Sequence, residues 1–337
     1  MYYIPIMTKI QAKKTPETTL QSARMPADLI SIAPMLDWTD RHFRYFLRLI
    51  CKNAMFYSEM IAAPALILGD RTKLLEYDGA EHPLVLQVGG SEPNLMARCA
   101  VYGEEWGYKA VNINAGCPSS RVQCGKFGAI LMQTPMLVAD CVAEMKAKVK
   151  IPVTVKTRIS LNTVAGDGFE SLFKFADLIH KAGCRHLIVH ARQAKLNWSP
   201  KDNRDRLPLN YDLVYKLKKS FPDMFITING NVKSLDETAT HLKQVDGVMI
   251  GRFAYGNPYA LKDMDTRFFN DNRPILSRTE ILEKMVPYIE KFSGPKHYIT
   301  HHMMGLYHGE PNAKAYKQIM ATGDIETLKD FIKNNKS

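Results

Sequence analysis

Short runs of apolar and β-branched residues recur along the chain, separated by longer stretches whose apolar residues follow helical spacing. The runs are too evenly apolar for one-sided antiparallel strands, so they predict parallel strands joined by helical crossovers. The runs cover residues 29–35, 55–60, 83–88, 110–114, 153–157, 186–189, 224–228 and 247–250, and the stretches between them include 39–50, 92–106, 137–149 and 169–182. Eight such units in about 230 residues predict an α/β fold, a (β/α)8 TIM barrel. A doubly wound open sheet is the alternative, but no GxGxxG follows the first run.

Polar or charged residues follow each apolar run. They are Asp37, Glu59, Gln87, Asn114 with Cys117, Lys156 with Arg158, His190 with Arg192, Asn229, and Arg252. In a barrel the carboxyl ends of parallel strands form one rim, where active sites are built. The pattern therefore predicts one polar site assembled from all eight strand ends.

The pattern changes after Pro258, where strand-like runs stop and helical stretches follow at 278–291, 298–307, 312–321 and 324–334. We predict a barrel domain over residues 25–265 and a small C-terminal helical bundle over 270–337. Residues 1–24 carry four basic residues against one acidic residue and predict a flexible basic leader.

Charge and cysteine usage narrow the function classes. The net charge of +11 indicates a polyanionic partner such as nucleic acid. No run of 18 apolar residues occurs, which excludes a membrane-spanning helix from the prediction. Six cysteines without paired spacing indicate a reduced, cytoplasmic protein and no metal site.

Glycine-containing loops follow the seventh and eighth runs, INGNVKS at 228–234 and IGRFAYGNP at 250–258. In barrels these two loops are the frequent phosphate site, and Arg252 could add a charge-assisted contact. Two tight turns are the alternative. Gln87, Lys156 and His190 would then lie under the ring of a phosphorylated cofactor, and they suit the polar edge of a flavin.

Cys117 lies just beyond the fourth run, between a glycine and a proline. Zinc binding would need more ligands than Cys117 and Cys124 offer, and a disulfide does not suit a reducing compartment. A nucleophile with His190 as its base stays open. We favour a proton donor, because an ordinary thiol stays mostly protonated at neutral pH. Cys124 is interpreted as a buried structural cysteine.

Five segments together resemble the tRNA-dihydrouridine synthases: APMLDWTDRHFRYFLR, NINAGCPSSRVQCGKFGAILM, VTVKTRI, IVHARQA and DGVMIGRFAYGNP. The resemblance runs from about residue 32 to the C-terminus, and the first segment with SPKDNRDRLPL is most similar to the subgroup acting on D-loop uridines 20 and 20a. It implies an FMN-bearing barrel with a C-terminal helical bundle. It also implies reduction of the uracil C5–C6 bond by flavin that NADPH, or NADH, has reduced. Flavin N5 would give hydride to C6, and Cys117 would protonate C5.

The resemblance also implies which residues bind. FMN contacts fall on Pro34, Met35, Leu36, Gln87, Lys156, His190, Asn229, Gly230, Asn231, Gly251 and Arg252. Asn114 matches the position that touches the target nucleotide, and the tRNA contacts match Lys201, Arg204, Lys314 and Lys317. Arg158 and Arg192 are further hypotheses for contacts to the flipped base or the RNA backbone.

Two departures from the family pattern change the expectation. Asn231 stands where the family commonly has glycine, and Gln193 stands where a basic residue is common. The first predicts altered phosphate contacts, and the second removes one RNA contact. We expect a monomer that binds tRNA, and the alternatives are an FMN-dependent reductase of free pyrimidines and a tRNA chaperone with a vestigial barrel.

Overall fold

A computed structural model describes residues 26–163 and 168–335 of the 337-residue chain. The predicted leader at 1–24 lies outside these residues. No helix within them is long and apolar enough to cross a membrane.

The apolar runs form a closed parallel barrel. Its strands are β1 Ile30–Ile32, β2 Phe56–Tyr57, β3 Ile61–Ala62, β4 Leu84–Gly89, β5 Ala110–Ala115, β6 Val153–Arg158, β7 His186–His190, β8 Phe225–Asn229 and β9 Gly247–Ile250. Neighbours pair in parallel in the order β1-β9-β8-β7-β6-β5-β4-β2, and β3 also pairs with β4. A parallel bridge between Ser31 and Met55 closes the ring, with Ile32 N donating to Met55 O at 2.9 Å. The predicted TIM barrel is confirmed.

The second barrel position is a broken strand, which the sequence did not predict. Tyr57 pairs with Val85 and Ile61 pairs with Val88, so the chain uses four residues where β4 uses three. The extra residue is a bulge at 58–60, a device that turns side chains near barrel rims. The run predicted at 55–60 thus contains β2, while β3 begins just after it.

Helices surround the barrel. They are α1 Arg41–Arg48, α2 Ala63–Leu68, α3 Arg71–Leu75, α4 Pro93–Glu105, α5 Ser120–Cys124, α6 Pro135–Lys148, α7 Phe169–Lys181, α8 Pro200–Asp205, α9 Tyr211–Ser220, α10 Leu235–His241, α11 Arg252–Gly256 and α12 Met264–Phe269. Proline at the first position of α4 and α6 fixes where these crossovers begin. Asp40 caps α1 by accepting from His42 N and Phe43 N, both at 2.9 Å.

Apolar side chains fill the barrel interior and the layer between strands and helices. The interior cluster is Ala33, Met55, Tyr57, Val85, Ala110, Ile188 and Met249. All are at most 6% exposed, so the strands are buried on both faces, as their even apolar runs predicted. Inward positions nearer the carboxyl ends carry polar groups instead, which leaves one polar mouth above an apolar floor.

A helical bundle follows the barrel, comprising α13 Arg278–Lys291, α14 His297–Thr300, α15 Ala313–Thr322 and α16 Ile325–Asn334. The prediction of one helix over 298–307 is wrong, because α14 ends at Thr300 and a 3-10 turn follows at His301–Met303. His302 in that turn is 1% exposed and contacts Asp40 of the barrel at 3.1 Å. The contact of His302 with the barrel is made by the 3-10 turn, where the spacing of apolar residues predicted a continuous helix. Met264–Phe269 crosses the proposed limit at residue 265, and the domain limits stay predictions.

Candidate active site

The turn that carries Cys117 is held from below by Asn114. The Asn114 Oδ1 accepts from Gly116 N at 3.1 Å and from Cys117 N at 2.9 Å. On the other side of the turn, Cys117 O accepts from Ala129 N at 2.8 Å. The thiol itself is partly exposed. Asn114, predicted to touch the target nucleotide, thus has its amide oxygen committed to the turn, and its contact with RNA stays a prediction.

A row of buried amides across β4, β5 and β6 orients Asn114. Asn114 Nδ2 donates to Gln87 Oε1 at 2.9 Å, and Gln87 Nε2 donates to Asn112 Oδ1 at 2.8 Å. Asn112 Nδ2 in turn donates to Thr154 Oγ1 at 2.8 Å. Sequence reasoning missed Asn112 and Thr154. The alternating asparagines of NIN were the available signal, since residues two apart on a strand share a face.

Arg158 holds the same turn from β6. Its Nε donates to Gly116 O at 2.9 Å and its Nη1 donates to Gln193 O at 2.8 Å. The side chain is 3% exposed. Its guanidinium therefore binds backbone carbonyls, and the hypothesis that it contacts the flipped base is not supported.

The predicted cofactor residues lie at one rim. Gln87, Lys156, His190 and Asn229 are at or near the carboxyl ends of β4, β6, β7 and β8, while Pro34, Met35, Leu36, Gly230, Asn231, Gly251 and Arg252 lie in the loops that follow β1, β8 and β9. Ala33 N donates to Ile250 O at 2.8 Å, which places the β1 and β9 loops side by side. The structure thus brings these residues to one mouth, and their contacts with a cofactor stay predictions.

Positive charge concentrates on the β6 to β9 side of this mouth. Burial, and to a smaller extent the nearby Arg158 charge, lowers the pKa of Lys156 to about 7. Lys156 Nζ donates to Asn229 Oδ1 at 3.2 Å. Burial, together with the charges of Arg158, Lys156, Arg192 and Arg252, holds the pKa of His190 well below its usual range. His190 is therefore neutral at physiological pH, and the cluster favours an anionic ligand.

The two glycine-containing loops follow β8 and β9, on the same side of the mouth as this cluster. Gly230 has φ +135° and Asn231 has φ +55°, conformations that glycine adopts readily and asparagine tolerates better than most residues. A side chain at Gly230 would be strained by this φ, and its Cβ would also lie 2.8 Å from Leu209 Cδ2. At Gly251 the nearest atoms to such a Cβ would be 3.8 Å away. These atoms are Ala33 Cβ and Met35 Sδ, so the loop after β9 packs beside the loop after β1.

Two arginines beside these loops have buried donors without partners. The Nε atoms of Arg192 and Arg204 are buried and make no hydrogen bond. Arg252 is paired with Asp205 at 2.8 Å, and both of these side chains are about two-fifths exposed, at 39% and 40%. Unsatisfied buried donors are costly, so this part of the rim fits a phosphate that would accept from them. Arg192 lies close enough to Arg252 for their charges to interact, and its hypothesised contact with the flipped base or the RNA backbone stays a prediction.

The loop after β1 borders the mouth next to the loop after β9. Thr39 fixes it, because Met35 N donates to Thr39 Oγ1 at 2.9 Å and Thr39 N donates to Met35 O at 3.0 Å. Trp38 stacks on Tyr255 with ring centroids 4.5 Å apart. Leu36 stays 65% exposed and offers an apolar surface at the entrance.

The predicted RNA contacts lie on two elements. Lys201 is exposed on α8, and Arg204 of the same helix is close enough to Cys117 and Arg252 for their charges to affect its pKa. Lys314 and Lys317 are exposed on α15, one helical turn apart. Cys124, interpreted as a buried cysteine, is exposed, because α5 ends at the surface. That interpretation is wrong.

Comparison with known proteins decides the family. The model of the family described as dihydrouridine synthase (Dus) matches residues 31–335. The chain belongs to the dihydrouridine synthase family. The resemblance carried by the NINAGCP segment, and the prediction that the protein is an enzyme, are both confirmed.

Relatives of this dihydrouridine synthase cover most of its length. A tRNA-dihydrouridine(20/20a) synthase of Shewanella oneidensis is 50% identical over 295 residues, 86% of this chain and 87% of the relative. Proteins of the same name from Synechocystis sp. and Pseudomonas aeruginosa are 46% and 47% identical, covering 88% and 89% of this chain and 89% and 91% of their own lengths.

Solved structures of other proteins share the barrel. A 2-naphthoyl-CoA reductase bound to 2-naphthoyl-CoA has a TM-score of 0.55 at 11% identity, covering 75% of this chain and 51% of its own. An old yellow enzyme homologue from Zymomonas mobilis has a TM-score of 0.52 at 12% identity, covering 74% and 90%. At this identity the likeness concerns the fold.

Proposed function

We propose that this dihydrouridine synthase reduces uridines 20 and 20a in the D loop of tRNA to 5,6-dihydrouridine, with FMN as its flavin and NADPH as the reductant. The relatives carry the name tRNA-dihydrouridine(20/20a) synthase over nearly the whole chain. The structural observation that carries the proposal is the Cys117 thiol, held by fixed backbone contacts at the same rim as the cationic cluster. A proton donor and a phosphate site thus share one mouth.

FMN fits the rim by its charge and shape. The phosphate would lie between the loops at 230–231 and 251–252, where it would meet the unpartnered Nε of Arg192. Lys156 and Gln87 would face the polar edge of the ring. Bound and reduced, the flavin supplies the hydride added at C6 of uracil.

Cys117 provides the proton for C5. The sulfur–hydrogen bond breaks as the carbon–hydrogen bond forms, which leaves a thiolate. Lys156, Arg158 and Arg204 are close enough for the Cys117 charge to affect their own pKa values, so their charges stabilise that thiolate. Since the thiol is partly exposed, solvent can return its proton after product leaves.

The substrate must be everted, because a uridine within the folded tRNA cannot reach the rim. The proposed contacts of Lys201, Arg204, Lys314 and Lys317 are with RNA phosphates, which would position the tRNA by shape and charge. We place the enzyme in the cytoplasm as a monomer, where reduced cysteines, tRNA and NADPH occur together.

The test offers two substrates to the purified, flavin-loaded protein with NADPH: unmodified tRNA and free uracil. We expect dihydrouridine at positions 20 and 20a, mapped by mass spectrometry, and slow turnover of uracil. Comparable turnover of the free base would instead establish a reductase of free pyrimidines. Formation of no dihydropyrimidine product from either substrate would contradict both.

A further inference from the structure

The segment after β7 is built as one piece with α8. Asn203 is fully buried and binds the segment at four points. It accepts from Lys195 N at 2.8 Å, and its Nδ2 donates to the carbonyls of Lys195, Trp198 and Ser199 at 2.9, 3.2 and 3.1 Å. Lys195 also lies over the Trp198 ring at 4.1 Å from its centroid. Movement of α8 must therefore carry residues 195–199 with it.

Two side chains join this segment to the Cys117 turn. Arg158 spans Gly116 O and Gln193 O, as described above. Gln123 makes the second link from α5, since its Nε2 donates to Pro118 O at 2.8 Å and to Leu196 O at 2.6 Å. The two links flank Cys117 in sequence, because Arg158 binds Gly116 and Gln123 binds Pro118.

The side chain of Gln123 connects two loops through one amide nitrogen. Both hydrogens of its amide nitrogen are used, and each reaches a backbone carbonyl of a different loop. It is partly buried, while its helix neighbour Cys124 is exposed. A surface glutamine kept for solubility would not hold both hydrogen bonds, because ordering its side chain has an entropic cost.

We propose that Gln123 is a positioning residue that couples the RNA-facing helix α8 to the thiol of Cys117. This inference rests on the proposed function. RNA that contacts Lys201 and Arg204 fixes α8, and the bond to Leu196 O passes that constraint through Gln123 to Pro118, next to the thiol. Gln123 itself touches neither substrate nor cofactor. It acts by fixing the direction of the sulfur when tRNA is bound.

The test replaces Gln123 by methionine, which has a similar length and no donor. Cys124→Ser, on the same helix and exposed, is the control and the background for all variants. The measurements are flavin content, the dissociation constant for unmodified tRNA, and the single-turnover rate of dihydrouridine formation with pre-reduced flavin. We expect the flavin content and the dissociation constant for tRNA to stay within twofold of the control. The single-turnover rate should be about tenfold lower, because loss of two hydrogen bonds lets the thiol leave its reactive geometry.

Alkylation of Cys117 by iodoacetamide gives an independent measurement. In the Cys124→Ser background the other four cysteines are buried, so the reaction reports on Cys117. We expect Gln123→Met to change this rate several-fold in the tRNA complex. Gln123→Glu keeps the size and polarity of the side chain but places oxygens opposite the two carbonyls. It should change the turnover and alkylation rates in the same way, and it is used instead if Gln123→Met is unstable.

The outcomes separate the two proposals. If the Cys124→Ser control binds flavin and tRNA yet makes no dihydrouridine, the proposed function fails. If the control is active and both Gln123 variants match its turnover and alkylation rates, the coupling is wrong. A loss of tRNA affinity with an unchanged single-turnover rate would also overturn it, because a residue that only shapes the binding surface would behave in that way.

Discussion

Lys156 is an ammonium group that the fold holds at the barrel mouth with a hydrogen bond to Asn229. Burial and the charge of Arg158 lower its pKa from 10.5 to about 7. The charged form is therefore less favourable in the folded protein than in the unfolded chain. An anionic cofactor bound beside Lys156 would favour the charged form again.

The pKa of Lys156 predicts how the stability of the flavin-free protein depends on pH. Between about pH 7 and 10.5 the unfolded chain binds a proton that the folded protein does not, so the free energy of unfolding rises with pH. Urea unfolding at pH 7.5 and 9 should show a steeper rise in the wild type than in Lys156→Met, by up to about 1.4 kcal/mol per pH unit. Equal slopes would show that Lys156 keeps an ordinary pKa.

At the scale of elements, α15 presents Lys314 and Lys317 to solvent on one face. Tyr316 and Met320 of the same helix are fully buried in the bundle, so the helix is fixed while its basic face is free to meet RNA. Lys329 on α16 differs, because it already pairs with Glu290 and Glu326, both at 2.8 Å.

Replacing Lys314 and Lys317 together by alanine should weaken tRNA binding. Each phosphate contact contributes about 0.9 to the slope of log K against log salt, so the slope should fall by about 2. Filter binding across a salt series measures it, and NADPH-driven flavin reduction without RNA should not change. Lys329→Ala is the matched control and should keep the wild-type slope. An unchanged slope in the double variant would show that Lys314 and Lys317 do not contact RNA phosphates.

Elements also show where sequence reasoning reached its limit. All eight strand positions were predictable, because two-sided burial leaves an evenly apolar run wherever the strand lies. The bulge at 58–60 and the broken helix at 298–307 were not, since both depend on partners far away in sequence. Gln123 was missed for the same reason: its acceptor at Leu196 is 73 residues away.

Across the whole molecule, the bundle and the barrel meet through close contacts. His302 lies between Asp40 and Tyr255, with Nε2 3.1 Å from Asp40 Oδ1 and Nδ1 3.2 Å from Tyr255 Oη. Gly305 approaches the backbone of α11, the helix that begins at the proposed phosphate loop. The bundle thus contacts the segments that follow the neighbouring strands β1 and β9, and both parts should unfold together.

A Cβ at Gly305 would collide with the barrel. It would lie 2.8 Å from Tyr255 O and from Pro258 Cδ, so Gly305→Ala should destabilise the protein by roughly 1–3 kcal/mol. Gly256→Ala is the neighbouring control, since nothing lies within 4 Å of a Cβ there. Thermal melts should show one transition for each protein, lowered in Gly305→Ala and little changed in the control. Equal melting temperatures would contradict the close contact.

The most direct test of the central claim is single-turnover reduction of unmodified tRNA by Cys117→Ala with pre-reduced flavin. Flavin content and tRNA affinity should match the wild type, because neither the cationic cluster nor α8 is altered. The rate should fall by about 10²–10⁴-fold, the usual contribution of a general acid. Dihydrouridine formed at the wild-type rate would contradict the claim that this thiol protonates C5.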